Sequence, residues 1–207
     1  MRASRALLVG VILIVVAARV ASTVLRGQRQ VFQSRQSAPL VYATVPSFHL
    51  VDQAGQPISR EQLDDRVWVA DFIFTRCAGQ CPMMTSQMAR LVQHLKGDES
   101  VAFISFTVDP DHDSPTVLAG YAQQAGASGS RWRFVTGKKE ELIRLCREGF
   151  QLAFDEQGGS SAEPLVHSSR LVLVDRHQRI RGYYDATDEP EMQRLQTDLR
   201  RLLREAS

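Results

Sequence analysis

The sequence predicts an α/β domain built on a mixed sheet with helices on both faces. Three observations carry this expectation. Residues 67–74 and 101–108 are almost continuously apolar, as strands buried on both faces are. Stretches of helical periodicity follow each of these runs. A hairpin pattern and an amphipathic helix close the chain, so the order is strand–helix three times, then hairpin–helix.

Each element has its own signal. Residues 48–52, followed by Gly55 and Pro57, read as a short strand and turn. The run 67–74 is the first core strand. After it, Met84, Met88, Leu91, Val92 and Leu95 fall at helical spacing, and Gly97 is a stop. Residues 101–108 form the second core strand. Ser114-Pro115 has the form of an N-cap with proline at the first helical position, opening a helix to about Ala125. Residues 132–135 are a third, shorter strand. Thr136 is expected to cap a helix through Arg147, with Glu140 and Glu141 near its positive end and Gly149 beyond its last turn. Residues 155–164, rich in Gly, Ser and acidic side chains, read as a mobile loop. Residues 165–174 and 179–184 flank Asp175-Arg176-His177-Gln178 as a hairpin. Asp188 and Glu191 have capping-box spacing, with Glu191 at the third position of the last helix.

The chain has 207 residues, enough for one ordinary domain and an extension. The extension is N-terminal. Residues 6–25 are mostly apolar, interrupted by Arg19, long enough to cross a bilayer as a helix, and residues 1–26 are read as a membrane anchor. Val16-Ala17-Ala18 keeps a cleaved signal peptide as the competing reading. Residues 27–45 are polar enough for a tether, leaving 46–207 as the folded domain. The net charge of +2 hides an asymmetry. Six of the 25 basic residues lie in the first 35, so the rest carries 19 basic against 23 acidic side chains, a net of −4. A mildly acidic domain is a poor partner for nucleic acid. Three cysteines exclude a disulfide-stapled scaffold.

Two of those cysteines, Cys77 and Cys81, stand where the first core strand meets its helix. A helix amino end favours a thiolate, which both a redox pair and a soft-metal site need. The position fits a thioredoxin-like arrangement, whose reactive thiols sit at this turn. Three intervening residues, against two in thioredoxins, let both sulfurs point at one external atom. His167 opens the strand expected beside the first core strand, so its ring can reach the turn. Two thiolates and an imidazole suit Cu(I), and with a further weak ligand Cu(II). Asp109 and Asp113, in the loop after the second core strand, are candidates for orienting the ligands or docking a partner's donor, against a plain turn role. His112 is a weaker candidate ligand. Helical spacing puts Met84 and Met88 in the core and Met83 on the surface, and Cys146 reads as an inert buried thiol.

The motifs FTRCAGQCP, TVDPDHD and VHSSRLVLVD, behind one N-terminal anchor, resemble the Sco/SenC family of copper chaperones. The resemblance covers the chain from about Phe48 to the last helix. It implies a thioredoxin-like fold and one copper ion held by Cys77, Cys81 and His167. It also implies a role in assembling the copper-A centre of cytochrome c oxidase, by delivering copper, reducing the acceptor cysteines, or both. The family's loop aspartate maps to Asp109 or Asp113, with Asp109 preferred because it directly precedes Pro110. Ala78 and Val166 stand where members often carry proline and aspartate, and neither change removes a ligand. The implied partners are the copper-bearing oxidase subunit and other copper carriers. The implied place is the bacterial inner membrane, with the domain on the periplasmic side. Two other readings stay open: a thiol–disulfide oxidoreductase using Cys77 and Cys81, and a copper or redox sensor acting through a protein partner.

Overall fold

The computed structural model describes Arg19 and residues 40–127, 129, 131–153 and 168–205. The chain divides into a unit of Met1–Pro39 and a unit of Leu40–Ser207. Residues 6–25 lie outside the described residues save Arg19, and so do the loop 155–164 and His167. Among the described residues no helix is long and apolar enough to cross a membrane.

The second unit is an eight-stranded mixed sheet in the order β1-β8-β7-β4-β5-β6-β2-β3. Its strands are β1 (Ala43–Thr44), β2 (His49–Asp52), β3 (Pro57–Ser59), β4 (Val67–Ile73), β5 (Val101–Thr107), β6 (Trp132–Thr136), β7 (Arg170–Val174) and β8 (Arg179–Asp185). The helices are α1 (Cys81–His94), α2 (Pro115–Gln124), α3 (Lys139–Arg144) and α4 (Glu189–Arg204), with a 3-10 turn at Arg60–Leu63. Parallel pairing joins β4, β5 and β6, and β7 joins the other side of β4 antiparallel, with Ala70 opposite Val172. β4 and β5 are buried at every position, which is why their apolar runs show no alternation.

Alternation along the strands sorts the core into two layers. On one face Trp68, Phe72 and Phe106 surround Phe150, with ring centroids 5.1–5.9 Å from it. On the other, Tyr121 of α2 packs edge-on against Phe134, and Tyr184 donates its hydroxyl proton to Asp198 of α4 at 2.8 Å. The Thr85–Tyr121 bond sets α1 beside α2. Ser114 caps α2 as expected, accepting from the Val117 N–H, and Gly97 takes the positive φ that ends the α1 segment.

Three boundary expectations fail. Thr136 does not cap a helix: it extends β6 by pairing with Val51, and Lys138 is the N-cap of α3. The helix also leaves α geometry at Arg144 and ends in a π-helical turn, Leu145–Gly149. Gly149 there lies so near Pro46 that a Cβ would meet its Cδ at 2.9 Å, and the next residue, Phe150, is fully buried in the core. The capping box at α4 does not close. Asp188 is the N-cap without a side-chain bond, because Glu191 pairs with Arg194 at 2.6 Å and Arg194 is held over the Tyr184 ring.

The hairpin joining β7 to β8 is fixed by Gln178, buried at a φ of +61°. Its side chain accepts from the Trp68 indole at 3.1 Å and donates to the Leu63 carbonyl at 2.8 Å. Gln178→Leu strands both partners in a dry site, so urea unfolding should show a loss of about 3 kcal/mol.

Candidate metal centre

β4 brings the chain to the carboxyl edge of the sheet, and α1 starts there. Between them the chain turns tightly. The Cys77 N–H donates to the Phe74 carbonyl at 3.2 Å, and the Met83 and Met84 N–H groups donate to the Gln80 carbonyl. Cys77 is half-buried; Cys81, the first residue of α1, is buried. Both are free thiols, close enough that Cys77 bears on the Cys81 thiol. The structure thus brings this pair together. Cys146 is buried elsewhere, and burial pushes its thiol up to about 12.

The helix end alone favours a Cys81 thiolate, but burial acts the other way and wins. It pushes the thiol above its ordinary range, the neighbouring Cys77 adds to this, and the Phe74 backbone pulls back. In the metal-free dithiol Cys81 holds its proton.

The loop after β5 lies against the turn. Asp113 is fully buried and accepts from the Thr75 N–H at 3.1 Å, the Thr75 hydroxyl and the Thr107 hydroxyl. His112 Nδ1 lies 3.0 Å from the same carboxylate. Asp109 pairs with Arg76, the residue before Cys77, at 2.6 Å. The candidate ligand atoms of Asp109, His112 and Asp113 all lie within 4.8 Å of one another. Arg76 and the two threonines already engage the carboxylates, so the cluster serves as a clamp between loop and turn. Met84 and Met88 are core and Met83 is exposed, matching their helical positions.

His167 lies outside the described residues. The neighbouring frame does not. β7 begins at Arg170 and runs antiparallel to β4, so Ser168 and Ser169 enter at the edge where β4 ends.

Sequence reasoning missed five residues here: Asp71, Thr75, Arg76, Thr107 and Tyr121. Asp71 had a visible signal, a lone carboxylate inside an apolar strand. It is fully buried, and neither oxygen has a hydrogen-bond partner of good geometry. Burial pushes its carboxyl up to about 7, partly offset by the hydroxyl of Ser105, its register partner in β5. Tyr121 bonds Thr85 at 2.9 Å. Burial pushes its phenol up to about 12, with Cys81, Asp71 and Cys77 adding, so thiols, carboxyl and phenol share one neighbourhood.

The sequence and the fold match known proteins. The family model described as SCO1/SenC matches residues 36–204. The chain belongs to the SCO1/SenC family. The SCO1 protein homolog of Bacillus subtilis is 32% identical over 164 residues, covering 78% of this chain and 83% of that protein. The crystal structure of a SCO1/SenC family lipoprotein from Bacillus anthracis superposes with a TM-score of 0.71 at 30% identity, over 78% of this chain and 95% of that one. BsSco, a member of the Sco family of cytochrome c oxidase assembly proteins with a disulfide switch, gives a TM-score of 0.70 at 30% identity, over 80% and 96%. The thioredoxin-like fold expected from the sequence is the fold of this family.

Asp71 ties stability to pH. The folded chain binds its proton up to about pH 7 and the unfolded chain only to the ordinary carboxyl range, so stability falls as pH rises between them. Asp71→Asn, never charged, should unfold like the native protein near pH 4 and be more stable at pH 8 by roughly 3–4 kcal/mol in urea titrations. Asp113→Ala removes the clamp. It should cost about 2–4 kcal/mol and speed amide hydrogen exchange at the cysteine turn ahead of exchange in β4.

Proposed function

We propose that this protein is a membrane-anchored copper metallochaperone of the periplasmic side, acting in cytochrome c oxidase assembly. The observation that carries this reading is the pair of neighbouring free thiols, Cys77 and Cys81, at the amino end of α1. Copper is cargo here, and the donor set fits it. The turn offers two sulfurs within reach of one ion, with Cys77 open to solvent. β7 starts at the same edge, which supports His167 as the third ligand. The loop residues Asp109 and Asp113 act on the ligands indirectly, through Arg76 and Thr75. Family members described with copper bound include ScoI of Bradyrhizobium japonicum, which shares the fold at 20% identity and a TM-score of 0.64. The acceptor is the copper-A subunit of the oxidase, and residues 6–25 anchor the chain as a single helix.

A second activity fits the same pair. Reduced thiols side by side can reduce an acceptor's disulfide before copper is transferred, and the disulfide switch of BsSco supports this for a relative of 30% identity. His167 separates the two roles, since reduction does not need it. A sensor would bind copper and associate with its partner without passing the ion on.

Cu(I) titration of residues 40–207, the unit that retains β1, should give one tight site per chain. Cys77→Ser or Cys81→Ser should lose that site by orders of magnitude, and His167→Ala should weaken it at least about tenfold. Cys146→Ser should leave it unchanged. The disulfide form should bind only after reduction. Native affinity in both Cys77→Ser and Cys81→Ser would place the metal elsewhere, and native affinity in His167→Ala would favour the reductase.

A further inference from the structure

We propose that a cavity against β7 and β8, on the sheet face away from α1 and α2, is a binding site for a small organic carboxylate. None of its lining residues belongs to the set assigned to copper.

Two walls enclose it. Val172 of β7 lies opposite Tyr183 of β8 and opposite Ala70 of β4. Strand alternation therefore turns Arg170 and Tyr183 to the face that carries Trp68, Phe72 and Phe150. The chain leaving Phe150 supplies the second wall. Gln151 takes a φ of +52°, uncommon for a residue other than glycine, and the Leu152 N–H then donates to the Cys146 carbonyl at 3.0 Å. Between the walls lies a cavity of about 350 Å³, lined by Gln151, Leu152, Ala153, Ser168, Arg170 and Tyr183. Tyr42 packs edge-on against Tyr183, with ring centroids 5.2 Å apart, and steadies that ring.

Two of the lining residues carry unmet polar groups. Ser168 is only 9% exposed, and the hydroxyl oxygens of Ser168 and Tyr183 are both buried without a hydrogen-bond partner among the described residues. An unpaired buried hydroxyl is costly, and each one calls for a partner. Here both orphans line the same space, which points to a shared partner. Water is a poor one, because a cavity of this size needs several molecules and offers few buried groups to hold them. The volume is instead that of a small-molecule pocket.

The lining chemistry selects the ligand. Both hydroxyls can donate, and Arg170, exposed at the mouth, adds a permanent cation with a planar fork of N–H groups. No carboxylate lines the cavity to balance that charge. Asp185, opposite Arg170 in register, accepts from the Ser169 hydroxyl and from the Thr187 N–H and hydroxyl, and Arg170 acts on it through space. One guanidinium and two neutral donors match one negative charge shared by two oxygens in a plane. A phosphate, with more charge on a tetrahedral group, would need further cations.

The test uses the full chain in detergent, copper-free, in Tris chloride with dithiothreitol, so that no other carboxylate is present. Its four tyrosines carry carbon-13 at Cζ, and Tyr183→Phe assigns the Tyr183 resonance. Succinate should shift that resonance saturably, with the other three tyrosines moving less. Arg170→Gln should weaken succinate binding at least about tenfold and Ser168→Ala at least about threefold, while Arg204→Gln, on α4, should leave it unchanged. Should Arg170→Gln fail to fold, Ser168→Ala decides, since it removes one oxygen and nothing else. A shift that never saturates, or that is equal in the native chain and in both Arg170→Gln and Ser168→Ala, would show a cavity filled by water and overturn the proposal. Inorganic phosphate binding as tightly as succinate would overturn the assignment to carboxylates. Because no copper is present, failure of the chaperone reading leaves this result interpretable.

Discussion

Everything at the thiol edge depends on one buried carboxylate. Asp113 receives hydrogen bonds from Thr75 in the turn after β4 and from Thr107 at the end of β5. These are charge-assisted bonds in a dry site, where losing a donor leaves an anion exposed to a low dielectric. The cysteine turn has no side-chain cap of its own at α1. Its shape is therefore borrowed from the neighbouring loop, with the Arg76–Asp109 pair as a second, more exposed fastening.

The same edge combines opposing electrostatic demands. A helix amino end and an adjacent arginine favour negative sulfur, while burial disfavours it. In the empty dithiol burial prevails at Cys81, so the thiol stays protonated until a metal or an oxidant arrives. That arrangement keeps the buried thiol unreactive, and any metal that takes both sulfurs has to displace a proton.

Much of this was legible from residue order. Continuous apolar runs identified β4 and β5 because both faces are covered, and Ser114-Pro115 and Gly97 marked helix ends through local backbone chemistry. The position of Cys77 and Cys81 followed from strand-to-helix succession. Failures arose where a tertiary partner outbid a local one. Thr136 went to Val51, and Glu191 went to Arg194. Gly149, expected just beyond the helix, instead lies inside its π-helical last turn, close against Pro46. Asp71 was visible as a lone carboxylate in an apolar strand but went unread, and the Thr75–Asp113 contact, spanning 38 residues, could not be read from local sequence. His167 stands outside the described residues, and its role rests on the family pattern and the direction of β7.

The two ends of the sheet have a consequence for recognition. One edge strand, β1, has two residues and is followed by Pro46; the other, β3, has three and begins with Pro57. Proline cannot donate to a ladder, and strands this short offer an incoming chain almost no template. Among the described residues both margins are thereby poor templates for strand addition, a backbone-driven way for one protein to join another's sheet. Recognition of this domain then falls to side-chain surface chemistry and not to backbone pairing.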